Sequence, residues 1–166
     1  MKLDSIPTNS SYINVNESSK NEEIKSEIKS ILNNQLYGIL ATSYNHQPYT
    51  NLIAFIASED TKNIFLATGK ETQKYYNLNK NKNVAFFIDT RSNDQIDIIN
   101  ANTLTAMGQA KQIKTKQIND IKKKYLSKHP LLKEFINSKN VEIFGMTVYT
   151  YIYVKSFQQV FKLKLD

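Results

Sequence analysis

The 166-residue sequence contains no cysteine. That excludes a disulfide framework, a thiolate zinc site and a thiol nucleophile. Arginine is almost as scarce: Arg91 is the only one. Nucleic-acid recognition leans on guanidinium forks, so no nucleic-acid partner is expected despite a net charge of +7. The lysines behind that charge are spread along the chain. Their densest group (Lys111, Lys114, Lys116, Lys122 to Lys124, Lys128) reads as the solvated face of one amphipathic helix. The two histidines, His46 and His129, lie far apart with no acidic partner at ligand spacing, so no metal site is expected. No Ser/His/Asp arrangement and no catalytic acid–base pair is visible, which leaves the catalytic residues unassigned. No apolar run is long enough to span a bilayer, and the opening Met-Lys-Leu-Asp-Ser-Ile-Pro-Thr has no apolar h-region. A cytoplasmic protein with no membrane partner is the expectation.

The length fits one domain with a substantial core. Residues 1–20 are polar, rich in Ser and Asn and without periodicity, and are expected to be a flexible tail before a domain over 21–166. Asn21 is expected to cap a helix whose first turn carries Glu22 and Glu23. Ile24, Ile28, Ile31 and Leu32 then follow on one apolar stripe.

Short strands with polar turns come next: Leu36 to Thr42, Tyr49 to Ala57 after the turn Asn45-His46-Gln47-Pro48, and Asn63 to Thr68. The first carries apolar residues on both faces, as in a barrel whose outside meets a helix or a second subunit. A short helix over Gln73 to Asn79 interrupts the meander. Asn83 to Asp89, a polar loop over 90–100, and Ala101 to Ile113 with Gly108 as a bulge follow. Thr115 is expected to cap a helix bearing Ile118, Ile121, Tyr125 and Leu126 on one face. Pro130 starts another, with Leu131, Leu132, Phe135 and Ile136 facing inward. Val141 to Val154, bent near Gly145, pairs with Gln158 to Leu165. Tyr149, Tyr151 and Tyr153 share one face of that strand, a stripe suited to packing at a dimer interface. The fold class is mainly β with α: an antiparallel barrel of six or so strands with peripheral helices.

The segment Gly69-Lys70-Glu71-Thr72-Gln73-Lys74 joins a strand to the short helix. A strand end, a glycine turn, a Thr cap and a Lys in the first helical turn are the parts that hold a phosphate. Helix N-termini present unpaired N–H groups and a partial positive charge.

The order of these pieces resembles the FMN-binding split β-barrel family, the superfamily of pyridoxamine 5′-phosphate oxidase. The matching text is Tyr37-Gly38-Ile39-Leu40-Ala41-Thr42, then Gln47 to Phe55, then Phe65-Leu66-Ala67-Thr68, then Thr72-Gln73-Lys74-Tyr75 with Asn77-Leu78. It continues with Asn83-Val84-Ala85, Ile88 to Asn93, Thr105 to Ala110, and Lys124 to Pro130. The resemblance spans residues 22–165 and implies a homodimer with FMN at the subunit interface. It places the phosphate motif on Thr72, Gln73 and Lys74, with Thr68 just before that loop. It lays Asn51, Leu52 and Ile53 along the isoalloxazine ring, offering backbone hydrogen bonds. Thr103 falls where relatives often place a Gln that reaches the flavin. Arg91, Ser92 and Asn93 match a loop near the site, supplied by the partner subunit.

Two departures bear on function. Gln73 stands where the family usually has Arg, which removes a bidentate phosphate donor. The Arg-rich C-terminal signature that grips pyridoxal phosphate in the true oxidase is missing; the chain has Gln158-Gln159-Val160-Phe161-Lys162-Leu163 there. An FMN-dependent oxidoreductase other than pyridoxamine phosphate oxidase is therefore expected, with a small-molecule substrate or nicotinamide donor that the sequence does not name. The alternatives within the same fold are a haem-binding barrel or a flavin-free interaction protein.

Overall fold

The computed structural model describes residues 12–17, 19–114, 117–155 and 159–165. In chain order the strands and helices are β1 (Ile13–Asn14), α1 (Asn21–Asn34), β2 (Tyr37–Tyr44), β3 (Gln47–Ala57), β4 (Asn63–Gly69), α2 (Gln73–Lys80) and β5 (Asn83–Asp89). They continue with α3 (Asp97–Asn100), β6 (Thr103–Gln112), α4 (Ile118–Lys128), α5 (Lys133–Asn137), β7 (Val141–Lys155) and β8 (Gln159–Lys164). The strands run β1-β8-β7-β4-β3-β2-β5-β6, and a β6–β7 pairing closes the barrel. Six strands therefore form a closed antiparallel barrel, and β8 and β1 extend the sheet beyond β7.

Two apolar clusters organise the molecule. The larger fills the barrel and takes Ile24, Ile28, Ile31 and Leu32 of α1 as a plug over one end. Burying each such side chain contributes about 1.5–3 kcal/mol. The smaller lies outside the wall, where α4 and α5 pack Ile121, Tyr125 and Ile136 on Ala54, Ala67 and Ile143. The stripe read on α1 is thus its buried face. A second tie holds α1: the Glu27 carboxylate accepts from Lys155 Nζ and from the Tyr153 hydroxyl at 2.9 Å. Burial pushes the Glu27 carboxyl up, but these two hydrogen bonds together with the charges of Lys155 and Lys20 outweigh it and hold the group below its usual range.

Several expectations need correction. Residues 13–14 pair in parallel with β8 and Val15 is buried, so the described part of the expected tail is docked on the barrel. Helix α1 starts at Asn21 itself, with Lys20 before it and no side-chain cap. The β2–β3 turn is Asn45-His46 alone, at φ 48° and 60°, the left-handed pair that matches hairpin twist. Gln47 and Pro48 already belong to β3. The loop over 90–100 contains the single turn α3. Leu131 is 97% exposed and Phe135 is also exposed, so only Leu132 and Ile136 of that group pack inward. The expected cap Thr115 and the strand start at Gln158 lie outside the described residues.

The bulge is real, but the extra residue sits on the other strand. Register passes from Met107↔Thr150 to Gly108↔Val148, which leaves Tyr149 of β7 unopposed. The period-2 alternation of β7 changes phase there: Phe144, Met146 and Val148 point inward before it, Tyr151 and Tyr153 after it. Tyr149 is exposed, so the three tyrosines do not share a face. Tyr151 and Tyr153 belong to the barrel core instead of a dimer stripe.

Candidate functional site

The site forms where the wall opens. Strand β3 pairs with β2 along Gln47 to Ala54, but with β4 only over Phe55–Ala57. Its edge before Phe55 therefore has no ladder partner among the described residues, and alternate backbone groups there are free to bind something else. The chain closes the inner end of this gap with side chains from α4 and the residue after it. The Tyr125 hydroxyl donates to the Ala54 carbonyl at 3.2 Å, and His129 Nε2 lies 2.8 Å from the Phe55 carbonyl. Burial pushes the Tyr125 phenol up, so it remains a donor. His129, at 5% exposure, orders the junction between α4 and the turn at Pro130.

Asn51 pairs with Leu40 on the inward face, and its Oδ1 is buried with no partner among the described residues. Ile53 pairs with Gly38 on the same face. Leu52 points to the other side and is 70% exposed.

Helix α2 stands beside this open edge. Thr72 caps it: the Thr72 hydroxyl accepts from the Tyr75 amide at 3.2 Å and donates to the Gly69 carbonyl at 2.9 Å. Thr68 Oγ1, fully buried, lies 2.9 Å from Thr72 Oγ1. The capping hydroxyl is thereby engaged within the loop. The amides of Gln73 and Lys74 have no acceptor among the described residues. Gln73 turns its side chain back along the helix, donating to Asn77 Oδ1 at 2.8 Å. Lys70, also in this loop, is committed elsewhere, to the Lys139 carbonyl at 2.8 Å and the Glu142 carboxylate at 3.1 Å. Lys74 instead lines a groove of about 270 Å³ together with Tyr37, Leu52, Ala54, Tyr125 and Phe135.

A second concavity of about 370 Å³ shares Tyr37 and Leu52 with the first and carries Arg91 and Asn93. The Arg91 Nε pairs with the Asp89 carboxylate at 3.2 Å, and Asn93 takes a left-handed φ of 63°. The Ser92 amide donates to Asp97 Oδ2 at 2.8 Å, which braces the loop. Of the expected site residues, Lys74, Leu52 and Ile53 share the first groove, and Arg91, Asn93 and Leu52 share the second. Thr68, Thr72 and Gln73 gather at the mouth of α2. Thr103, opposite Asp89 and Val154 at the start of β6, lines neither groove.

Sequence reading missed Tyr37, Phe135, Thr42 and Asn77. The first two carried a signal in the two-sided apolar pattern of β2 and in the apolar residues that follow Pro130. Thr42 is a polar residue in a largely apolar strand, and Asn77 is one of several polar residues of α2, so nothing in the sequence set it apart.

The chain matches the family model for pyridoxamine 5′-phosphate oxidase over residues 24–155. No curated protein matches it in sequence. Solved structures with the same fold include a haem-binding protein from Mycobacterium smegmatis, 14% identical with a TM-score of 0.75, over 83% of this chain and 56% of that longer protein. General Stress Protein 26 from Bacillus anthracis is 19% identical with a TM-score of 0.66, over 86% of this chain and 99% of that one. An FAD-binding protein from Mesorhizobium loti is 14% identical with a TM-score of 0.59, over 77% of this chain and 91% of that one. At such identities the likeness speaks for the fold alone. The family match covers all six strands of the barrel, from within α1 to the end of β7, and the chain belongs to the pyridoxamine 5′-phosphate oxidase family.

Proposed function

We propose that this protein binds FMN and works as a flavin-dependent oxidoreductase in the cytoplasm, as a homodimer with the cofactor at the subunit interface. The observation that carries the reading is the position of Lys74: it lines a groove with Ala54 at its floor and Leu52 at its exposed rim, one residue into a helix whose first two amides have no acceptor among the described residues. Two free N–H groups, a helix dipole and an ammonium suit a phosphate. The apolar floor and the ring of Tyr37 suit a flat ring system. The free edge of β3 offers backbone donors and acceptors to the polar rim of that ring. The donor set thus fits FMN, with Lys74 and the Gln73 and Lys74 amides holding the phosphate and Asn51 to Ile53 along the ring.

Bound FMN supplies the electron chemistry; the protein supplies orientation and exclusion of water. The groove lies open in one protomer, with Tyr37, Leu52 and Phe135 exposed around it. A second copy covering that face would shield the ring and bring its own Arg91 loop near the site. A small-molecule substrate or a nicotinamide cofactor would act as the electron donor. The reading does not extend to pyridoxamine phosphate oxidation, since the C-terminal strand carries no arginine.

The likeness to a haem-binding protein motivates the alternative. His129 gives it little support, because its Nε2 is already committed to the Phe55 carbonyl and its ring is buried.

The test is purification without added cofactor, an absorbance scan, and titration with FMN and with haem. Saturable FMN binding is expected, and Lys74→Ala should weaken it about tenfold or more with little change in folding stability. A colourless protein that no FMN concentration saturates, or equal FMN affinity in Lys74→Ala and the parent, rejects the reading.

A further inference from the structure

Among the described residues four polar side chains are buried: Thr42, Thr68, Asn77 and His129. Three of the four hold α2 or the loop that leads into it. Asn77 lies one turn after Gln73 on the same helical face, and it is 2% exposed. Its Oδ1 accepts from Gln73 Nε2 at 2.8 Å, and its Nδ2 donates to Thr42 Oγ1 at 3.0 Å. The Thr42 hydroxyl in turn donates to the Tyr49 carbonyl at 3.3 Å. The chain of donors runs in one direction without conflict, from the first turn of α2 to the β2–β3 hairpin. Burying an amide and a hydroxyl costs free energy that apolar residues would not, unless both are paired. Here they are paired with each other, across 35 residues of sequence.

We infer that Asn77 and Thr42 are positioning residues for the anion-binding turn: they lock α2 against the hairpin, so that its free amides and Lys74 meet a ligand's terminal phosphate in one fixed orientation. The inference rests on the flavin reading above and goes beyond it. The same network explains what Gln73 does. Its side chain is spent on Asn77, so phosphate recognition falls on the Gln73 and Lys74 amides and the Lys74 ammonium. Those three donors stand on one short helix, and their aim depends on how that helix is held. The loop before the helix is held separately, by the hydroxyls of Thr68 and Thr72 and the Gly69 carbonyl.

A structural role alone would weaken every ligand of the groove together. A positioning role acts on the phosphate. The experiment therefore titrates the 166-residue chain with FMN and with riboflavin, which differ only in that phosphate, using the parent, Thr42→Val, Thr42→Ser and Asn77→Leu, with thermal unfolding of each. Thr42→Val keeps the volume and removes the hydroxyl; Thr42→Ser keeps the hydroxyl. FMN affinity is expected to fall about tenfold in Thr42→Val and Asn77→Leu. Riboflavin affinity should stay within about twofold, and Thr42→Ser should retain the parent's preference for FMN. If Asn77→Leu does not fold, the Val and Ser pair decides the matter. Equal loss for both ligands, or no loss for either, overturns the positioning role while leaving the flavin reading intact. A parent that binds neither ligand overturns the flavin reading and the positioning role with it.

Discussion

Lys128 holds its ammonium 4.2 Å from the centre of the Phe55 ring, at the point where α4 meets the end of α1. Its Nζ also donates to the Leu32 carbonyl at 2.9 Å, one of the last carbonyls of α1 and without a partner inside the helix. The contact joins the plug helix to the outer layer. It has a cost, because burial pushes the Lys128 amine down to about 8 from 10.5.

That shift predicts a pH dependence. Between about 8 and 10.5 the unfolded chain holds a proton on Lys128 that the folded chain releases, so stability rises with pH through that window. Below it both states are protonated and the penalty is constant. Urea unfolding of the parent and of Lys128→Met should show the parent gaining on the variant between pH 8 and pH 10.5, by on the order of 1 kcal/mol after solvent screening of a half-exposed amine. The difference should be flat from pH 6 to 7.5. Parallel curves throughout would show that the amine is not desolvated.

Gly108 permits a close approach of β6 to β7. A Cβ there would lie 2.0 Å from the Thr147 carbonyl oxygen and 3.1 Å from the Val148 Cα, both backbone atoms that cannot swing aside. Gly108→Ala should therefore cost about 3 kcal/mol or more, read from urea denaturation. A cost below about 1 kcal/mol would mean that the β6–β7 bulge can open freely.

The proposed dimer can be tested at Leu52, which is 70% exposed and lines both grooves. Leu52→Glu should turn a dimeric parent into a monomer in sedimentation velocity, with an unchanged far-ultraviolet spectrum. The charge would have to be buried unpaired against the second copy, which costs several kcal/mol. A monomeric parent, or a variant that stays dimeric, argues against the arrangement.

Much of this architecture was legible in the chain. Strands read from alternation fall within a few residues of the observed ones. The apolar stripe Ile24, Ile28, Ile31, Leu32 is the buried face of α1. Thr72 caps α2 as its position before Gln73 suggested. Errors arose where a local rule met a competing contact. Asn21 matched the type of residue that caps a helix, yet the helix absorbed it. Leu131 matched the periodicity of a buried position, yet the turn after Pro130 is a 3-10 turn and rotates it into solvent. The tyrosines of β7 obeyed period 2 on paper, and one unopposed residue moved Tyr149 off the face that Tyr151 and Tyr153 share.

What the residues alone determined is the set of elements, their order and the family they spell, because hydrophobic period, caps and turn chemistry act over a few neighbouring positions. Tertiary structure decided where β3 parts from β4, which strand carries the bulge, and that Asn77 of α2 reaches Thr42 of β2. Those outcomes depend on register between segments tens of residues apart. A shift of one position reverses every side chain of a strand, and only the closed barrel, with all its partners present, selects among the alternatives.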